Sequence, residues 1–193
     1  MSPSLPQRVQ LIEVAPRDGL QNESVVVNTD QKVAFIDRLS AAGCPHIEVT
    51  SFVSPKWVPA LADHSEVFQR IKKASGTVYS ALVPNQLGMD RALSAGVRHV
   101  AIFTAASDSF TKKNINASVA ESLGRFDDVC AIARREQIAV RGYISTAFGC
   151  PYEGDVSVDR VVDVAKAYLD LGVNEISLGD TIGVATPTLV DEV

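Results

Sequence analysis

Three charged side chains, Arg17, Asp18 and Glu48, stand where charges could act together on an anion. Arg17 and Asp18 follow the apolar run VQLIEVA, and Glu48 lies inside the run HIEVTSF. A carboxylate in a buried strand needs a cation or donors to replace its lost hydration, so we expect Arg17 to partner Glu48. Asp18 beside Arg17 would join a hard oxygen ligand for a divalent metal to a fixed donor for an enolate. The alternatives are a purely structural Arg17–Glu48 ion pair and a capping role for Asp18 ahead of Gly19.

Two further polar segments follow apolar runs. Asp180 ends the run EISLGD, where it could line the same site or could cap the loop that leads to the next helix. The segment FTKKNIN, residues 110 to 116, carries Lys112, Lys113 and Asn114 in an otherwise acidic chain. Its lysines could offer point charges to a phosphate or a carboxylate, or they could be a solvated pair in an exposed loop.

The elements that must position these residues alternate between short apolar runs and longer stretches of helical periodicity. That alternation is typical of strand–helix units around a parallel sheet. Glycines in LSAAG, LSAG and LDLG fall where a helix needs its left-handed end, a few residues before the next strand. The predicted strands cover residues 9 to 15, 46 to 52, 77 to 83, 99 to 105, 139 to 148 and 175 to 180.

The spacing of these strands leaves two α/β folds open. The mean repeat is about 33 residues, and eight such units would need about 260, the usual size of a (β/α)8 barrel. A complete doubly wound sheet of six strands is the alternative, but it would gather its ligand contacts at one switch point. Polar residues after strands one, two, four and six favour a closed ring. We therefore expect residues 1 to 193 to form the first six strands of one TIM (β/α)8 catalytic domain, an incomplete barrel that ends as a helix begins at Thr186 and Pro187.

Composition narrows the class of protein. The net charge of -5 and the lack of a basic stripe argue against a nucleic-acid partner. No run of about 18 apolar residues occurs, which argues against a membrane span. Three cysteines without paired spacing fit a reducing compartment, so we expect a cytoplasmic protein. Cys150, in GCPYEG, is expected to be structural.

Five phrases carry a resemblance to a known family. They are VAPRDGLQNE (14 to 23), IEVTSFVSPKWVPALADHSEV (47 to 67), FTKKNIN (110 to 116), GCPYEG (149 to 154) and EISLGDTIGVATP (175 to 187). With them the chain resembles the 3-hydroxy-3-methylglutaryl-CoA lyases, members of a metal-dependent lyase group built on TIM barrels. The Arg-Asp-Gly phrase alone is shared with isopropylmalate and homocitrate synthases, whereas the second and last phrases are specific to the lyases.

The resemblance implies a reaction, a cofactor and roles for residues. The reaction would be cleavage of an acyl-CoA substrate, 3-hydroxy-3-methylglutaryl-CoA, to acetyl-CoA and acetoacetate with Mg²⁺ or Mn²⁺ bound at the barrel mouth. Asp18 would bind the metal, Arg17 would stabilise the enolate, and Glu48 and Asp180 would orient the site. Lys113 and Asn114, with Arg17, would contact the acyl-CoA.

The family's remaining metal ligands, a His-x-His pair and an asparagine, and its catalytic cysteine loop come from the last strands, so they are expected beyond Val193. The 193 residues alone are then expected to be inactive, because one carboxylate cannot hold a catalytic divalent ion. We also expect a homo-oligomer. The alternatives are a Claisen-type synthase that uses Arg17 and Asp18, and a non-catalytic acyl-CoA-binding fragment.

Overall fold

A computed structural model describes residues 6 to 193 and contains six parallel strands, each followed by helical structure. The strands are short and rich in Val and Ile, as suits a sheet covered on both faces. The strands are β1 Ile12–Glu13, β2 His46–Ser51, β3 Val78–Leu82, β4 His99–Ala105, β5 Ala139–Ser145 and β6 Glu175–Leu178. The α-helices are α1 Thr29–Ala41, α2 His64–Arg70, α3 Gln86–Ser94, α4 Asp108–Ile115, α5 Val119–Arg135, α6 Val158–Asp170 and α7 Pro187–Glu192.

The strand order decides between the two folds that the sequence left open. The strands lie side by side in chain order from β1 to β6, and every neighbouring pair is parallel. A doubly wound sheet would reverse direction at a switch point, and this sheet has none. The sheet is also strongly curled, since the Tyr143 hydroxyl of β5 lies 2.9 Å from a carboxylate oxygen of Glu48 in β2. Three strand spacings in a flat sheet would separate their backbones by about 14 Å.

The helices cover the outer face of this curled sheet. Outward residues of the strands pack against them, and Tyr168 of α6 is fully buried over Gly142 of β5. A Cβ atom at position 142 would lie 2.6 Å from the Tyr168 ring, so glycine is required for this close approach. The inner face carries polar side chains instead, for example His46, whose ring nitrogen lies 2.8 Å from the Ser80 hydroxyl. The curled sheet thus forms six strands of a (β/α)8 barrel wall.

Several element boundaries agree with the sequence-based predictions. Gly43, Gly96 and Gly172 have positive φ angles after α1, α3 and α6, as their predicted role at helix ends requires. The Thr186 side chain accepts a hydrogen bond from the Leu189 amide at the start of α7, with Pro187 at its first position. Among the described residues, no helix combines the length and the apolar character needed to cross a membrane.

Strand one differs from its prediction. A buried strand was expected over residues 9 to 15, but only Ile12 and Glu13 pair with β2, and Val9 and Leu11 are exposed. After Glu13 the chain leaves the sheet and enters a helical turn, where Pro16 has no amide hydrogen to donate to a ladder. The strands at residues 139 to 148 and 175 to 180 also end early, at Ser145 and Leu178, before their polar loops begin.

Candidate active site

Arg17 lies in a tight helical turn directly after β1, at the carboxyl end of the sheet. Residues Ala15–Gly19 form one turn of π-helix, a rare form that often marks functional positions. The amides of Arg17 and Asp18 both donate to the Val14 carbonyl, at 3.1 and 2.7 Å. This turn points the Arg17 side chain back over the strands, where it is only 13% exposed.

Glu48 and Tyr143 fix the Arg17 guanidinium. The Arg17 Nε donates to Glu48 Oε1 at 2.5 Å, and the Tyr143 hydroxyl donates to Glu48 Oε2 at 2.9 Å. Glu48 is completely buried in β2, so each of its oxygens has exchanged water for a protein donor. The Tyr143 ring centroid also lies 5.9 Å from the Arg17 guanidinium carbon, within cation–π range. Side chains of two strands, β2 and β5, therefore hold one cation.

The protonation states follow from this packing. Burial alone would lower the pKa of Arg17, but the carboxylates of Glu48 and Asp18 outweigh it and raise that pKa above its usual value. Burial first, and the Glu48 carboxylate second, raise the pKa of Tyr143 well above its usual range. Tyr143 therefore keeps its proton and stays a donor to Glu48, while Arg17 is a permanent cation.

Asp18 is the exposed member of the group. Its Oδ1 accepts from Arg17 Nη1 at 2.7 Å, and its side chain is 54% exposed. Asp18 could thus give one oxygen to a cation outside the protein. In the described part of the chain, no three His, Cys, Asp or Glu side chains group together to hold a metal, and both Glu48 oxygens already accept from protein donors. These residues do not make a divalent-metal site by themselves.

The other predicted site residues make no hydrogen bond or ion pair with this group in the part of the chain that the structure describes. Both oxygens of Asp180 accept backbone amides of its own loop, from Val184 at 2.9 Å and Ala185 at 3.0 Å. Within residues 6 to 193, no hydrogen bond or ion pair joins Asp180 to Arg17 or Glu48. The geometry matches the alternative in which Asp180 caps the loop before α7.

Lys113 and Asn114 lie in the last turn of α4, after β4. The alternative interpretation placed this lysine pair in an exposed loop, but the segment is helical because Ser107 caps the helix, its hydroxyl accepting from the Phe110 amide. Both side chains are exposed, and the Lys113 ammonium lies 3.7 Å from the Tyr152 ring centroid. Among the described residues, neither side chain bonds to Arg17, Asp18 or Glu48.

The sequence-based reasoning missed Tyr143 and its neighbour Arg141. Both alternate onto the inner face of β5, where Arg141 forms an ion pair with Glu175 and its guanidinium carbon lies 5.3 Å from the Tyr143 ring centroid. A signal was present, since the polar residues Arg141, Tyr143 and Ser145 occur with a period of two in a strand whose other positions are apolar. Because a buried Glu48 needs hydrogen-bond donors, that pattern indicates a donor for it on the inner face of β5.

Comparisons with known proteins agree with this architecture. The chain is 56% identical over 189 residues to the mitochondrial hydroxymethylglutaryl-CoA lyase of Rattus norvegicus, covering 98% of this chain and 58% of the rat protein. The chain thus spans little more than half the length of that relative.

Solved structures give the same result. The hydroxymethylglutaryl-CoA lyase of Pseudomonas aeruginosa superposes with a TM-score of 0.93 at 50% identity, over 97% of this chain and 64% of that one. An HMG-CoA lyase of Acinetobacter baumannii, solved with coenzyme A and 3-methylmalate, gives 0.90 at 38% identity, over 94% and 59%. The HMGL-like family model matches residues 8 to 193, and the chain belongs to this family.

Proposed function

We propose that this chain carries most of the catalytic barrel of a 3-hydroxy-3-methylglutaryl-CoA lyase, with Arg17 as the residue that stabilises the enolate. The observation that carries the proposal is the fixed guanidinium of Arg17, held by Glu48 and stacked near Tyr143 at the carboxyl end of β1. The similarity of this chain to named lyases, across nearly its whole length, supports the same reaction. Those relatives favour the lyase over the synthase and over a non-catalytic fragment.

The chemistry is a retro-Claisen cleavage. The tertiary hydroxyl loses its proton and becomes the ketone of acetoacetate, and the adjacent carbon–carbon bond breaks. The electron pair of that bond passes to the methylene carbon next to the thioester and is shared with the thioester oxygen as an enolate, which takes up a proton at that carbon to give acetyl-CoA. Negative charge therefore grows on the thioester oxygen, where a preorganised cation lowers the barrier most.

Arg17 is suited to that oxygen because only part of its guanidinium is used by the protein. Nε is bound by Glu48 and Nη1 by Asp18, whereas Nη2 donates to no protein group in the described structure. The fixed fork leaves Nη2 as a directed donor for the substrate. Glu48 and Tyr143 contribute by holding the fork still, so that little reorganisation is needed as the charge develops.

Further parts of the proposal concern the cofactor, the substrate contacts and the setting. The lyase reaction would use Mg²⁺ or Mn²⁺, which polarises the substrate oxygens when bound, and Asp18 would supply one ligand. Lys113 and Asn114 would contact the acyl-CoA, and Asp180 would shape the site from the end of β6. We further propose a cytoplasmic homo-oligomer that acts in leucine degradation.

Replacing Arg17 tests the proposed function. In the gene product that carries this sequence, Arg17→Gln should lower kcat for acetoacetate formation by about 10²- to 10³-fold, because a preorganised donor is lost. Arg17→Lys should be nearly as inactive, since an ammonium cannot bind Glu48 and the substrate through one planar fork. The measurement is acetoacetate production from 3-hydroxy-3-methylglutaryl-CoA with Mn²⁺ present.

The matched control is Arg70→Gln, which removes an exposed arginine that pairs with Asp30 and Glu66 on the helical shell. It should leave the rate within about twofold, as exposed pairs contribute little. A near-normal rate for Arg17→Gln would remove Arg17 from the mechanism. Release of free CoA only when acetyl-CoA and a 2-oxo acid are both present would show a synthase instead.

A further inference from the structure

The loop between β5 and α6 forms a closed hairpin that lies against α4. The amide of Cys150 donates to the Gly154 carbonyl at 2.8 Å, and the amide of Gly154 donates back to the Cys150 carbonyl at 2.9 Å. This reciprocal pair closes a five-residue loop and presents Tyr152 at its tip. We refer to residues 149 to 154 as the β5 loop.

Two contacts anchor the β5 loop to the start of α4. The Glu153 carboxylate accepts the Ser109 amide at 2.8 Å through one oxygen and the Arg160 guanidinium at 2.7 Å through the other. The Cys150 sulfur lies 3.0 Å from the hydroxyl of Ser107, which caps α4. These contacts fix the loop relative to the helix that carries Lys113.

The tip residue Tyr152 meets Lys113 at the other end of α4. The Lys113 ammonium lies over the Tyr152 ring, 3.7 Å from its centroid, and the Tyr152 ring also contacts Phe110, with centroids 6.3 Å apart. Lys113 has no carboxylate partner among residues 6 to 193. An aromatic face holds a cation in place without cancelling its charge, whereas a carboxylate would neutralise it. The Lys113 charge is therefore positioned and still available to an anion.

We propose that Tyr152 is a positioning residue that holds the Lys113 ammonium for an anionic group, phosphate or carboxylate, of the acyl-CoA substrate; this rests on the proposed function. The β5 loop supplies the ring, α4 supplies the cation, and the anchors at Glu153 and Cys150 keep the two in register. Tyr152 acts on ground-state binding, so its loss raises KM and the dissociation constant of coenzyme A without lowering kcat.

The first test reads the geometry itself, without a substrate. In ¹H–¹³C NMR spectra of the lysine side chains, the ring current of Tyr152 should shift the Lys113 ε-methylene signal upfield. The neighbouring Lys112 is exposed on the same turn and serves as the unshifted internal reference. Tyr152→Leu should abolish the shift and Tyr152→Phe should keep it. An unshifted Lys113 signal in the wild-type protein would overturn the proposal.

The second test is a double-mutant cycle with coenzyme A as the probe, measured by calorimetry. Tyr152→Leu should weaken binding about two- to fivefold, the range expected of an exposed cation–π contact, and Tyr152→Phe should restore wild-type affinity. Lys113→Met should weaken binding further, and adding Tyr152→Leu to it should change nothing more. Tyr152 is 50% exposed, so an unchanged melting temperature should accompany each variant.

The outcomes separate the two claims. A wild-type protein that binds coenzyme A but ignores Tyr152→Leu would overturn the positioning role and leave the lyase proposal standing. Independent, multiplying effects of Tyr152→Leu and Lys113→Met would also overturn it. A wild-type gene product that binds no coenzyme A at all would overturn the proposed function, together with the substrate contact argued for Lys113.

Discussion

Arg17 differs from the surface arginines of this chain because two carboxylates and an aromatic ring fix its guanidinium. Arg70, for comparison, bridges Asp30 and Glu66 on the helical shell, where water competes for every contact. The Glu48 partner of Arg17 has no such competitor, since it is fully buried. The pair was predictable from the sequence because a buried carboxylate requires a cation or donors, and Arg17 follows the neighbouring strand β1.

Replacing Glu48 should reveal how much of this arrangement is structural. In Glu48→Gln, the amide cannot accept from both Arg17 and Tyr143, and the mostly buried Arg17 charge loses its counter-ion. The free energy of unfolding should fall by roughly 3 kcal/mol, because breaking a buried pair leaves an uncompensated charge. Urea denaturation, followed by circular dichroism, measures the loss.

Glu66→Gln is the matched control for Glu48→Gln, because it deletes an exposed partner of Arg70 by the same chemical change. Its cost should stay below about 1 kcal/mol. Equal destabilisation by the two substitutions would mean that the Arg17–Glu48 contact is no stronger than a surface pair.

At the scale of elements, the β5 loop and α4 act as a unit whose stability depends on Glu153. The hydrogen bond from the Ser109 amide lowers the pKa of the Glu153 carboxyl most, and the Arg160 guanidinium lowers it further, to about 2 in the folded protein. A lowered folded-state pKa stabilises the fold above the unfolded-state pKa, about 4.3 for Glu. That contribution is lost as the pH falls from there toward 2.

The effect of Glu153→Gln on the melting temperature should depend on pH, because the ionised Glu153 stabilises the fold and the protonated one does not. The variant should melt at a lower temperature than the wild type at pH 7, and the difference should shrink as the pH falls below about 4.3 and vanish near 2. Calorimetric melting temperatures over this range give the comparison. Glu192→Gln is the control, since its carboxylate accepts no hydrogen bond in the described structure. A difference for Glu153→Gln that does not change with pH would assign the effect to packing instead.

The elements also show which parts of the fold local sequence can predict. Central strands such as β2 and β4 were predicted within a residue or two, because both faces are buried and the apolar run is continuous. The prediction for β1 was too long. The sequence of an edge strand does not show how many of its residues pair with a neighbouring strand. The FTKKNIN segment was not predicted as a helix, because the cap at Ser107 that starts its helix lies outside the phrase.

The site was only partly predictable for a related reason. Arg17, Asp18 and Glu48 could be grouped because parallel strands bring their carboxyl ends to one rim. Tyr143 was missed because its contact with Glu48 crosses the interior between strands 95 residues apart in sequence. Such a contact depends on the curl of the whole sheet, which no single strand encodes. The contacts of Lys113 and Asp180 likewise depend on loops: Lys113 lies over Tyr152 of the β5 loop, and Asp180 accepts amides of its own loop.

At the scale of the whole molecule, the sheet described here has two free edges, β1 and β6. Leu178, Ile182 and Val184 are exposed beside the β6 edge. Open parallel edges with apolar neighbours pair readily with other chains. The 193-residue chain should therefore associate as its concentration rises from about 1 to 100 µM, a range in which exposed edges drive aggregation. Sedimentation velocity measures the association.

Leu178→Lys should reduce this association, because a charge on an edge strand opposes intermolecular pairing. Leu87→Lys is the control: Leu87 is exposed on α3, away from both edges, and its replacement should leave the association unchanged. A monomer at every concentration, or equal effects of the two substitutions, would show that the edges are not the contact surface.

The strictly sequential strand order has a consequence for synthesis on the ribosome. Each strand lies beside the one made immediately before it, so its docking surface has already emerged when it leaves the exit tunnel. The wall can therefore grow one strand–helix unit at a time, and each step closes only a short stretch of chain. Arg17 and Glu48 can form their ion pair early in translation, long before Tyr143 is synthesised and can donate its hydrogen bond to Glu48. A nascent chain of this kind would form the Arg17–Glu48 ion pair first and add the Tyr143 contact that holds it last.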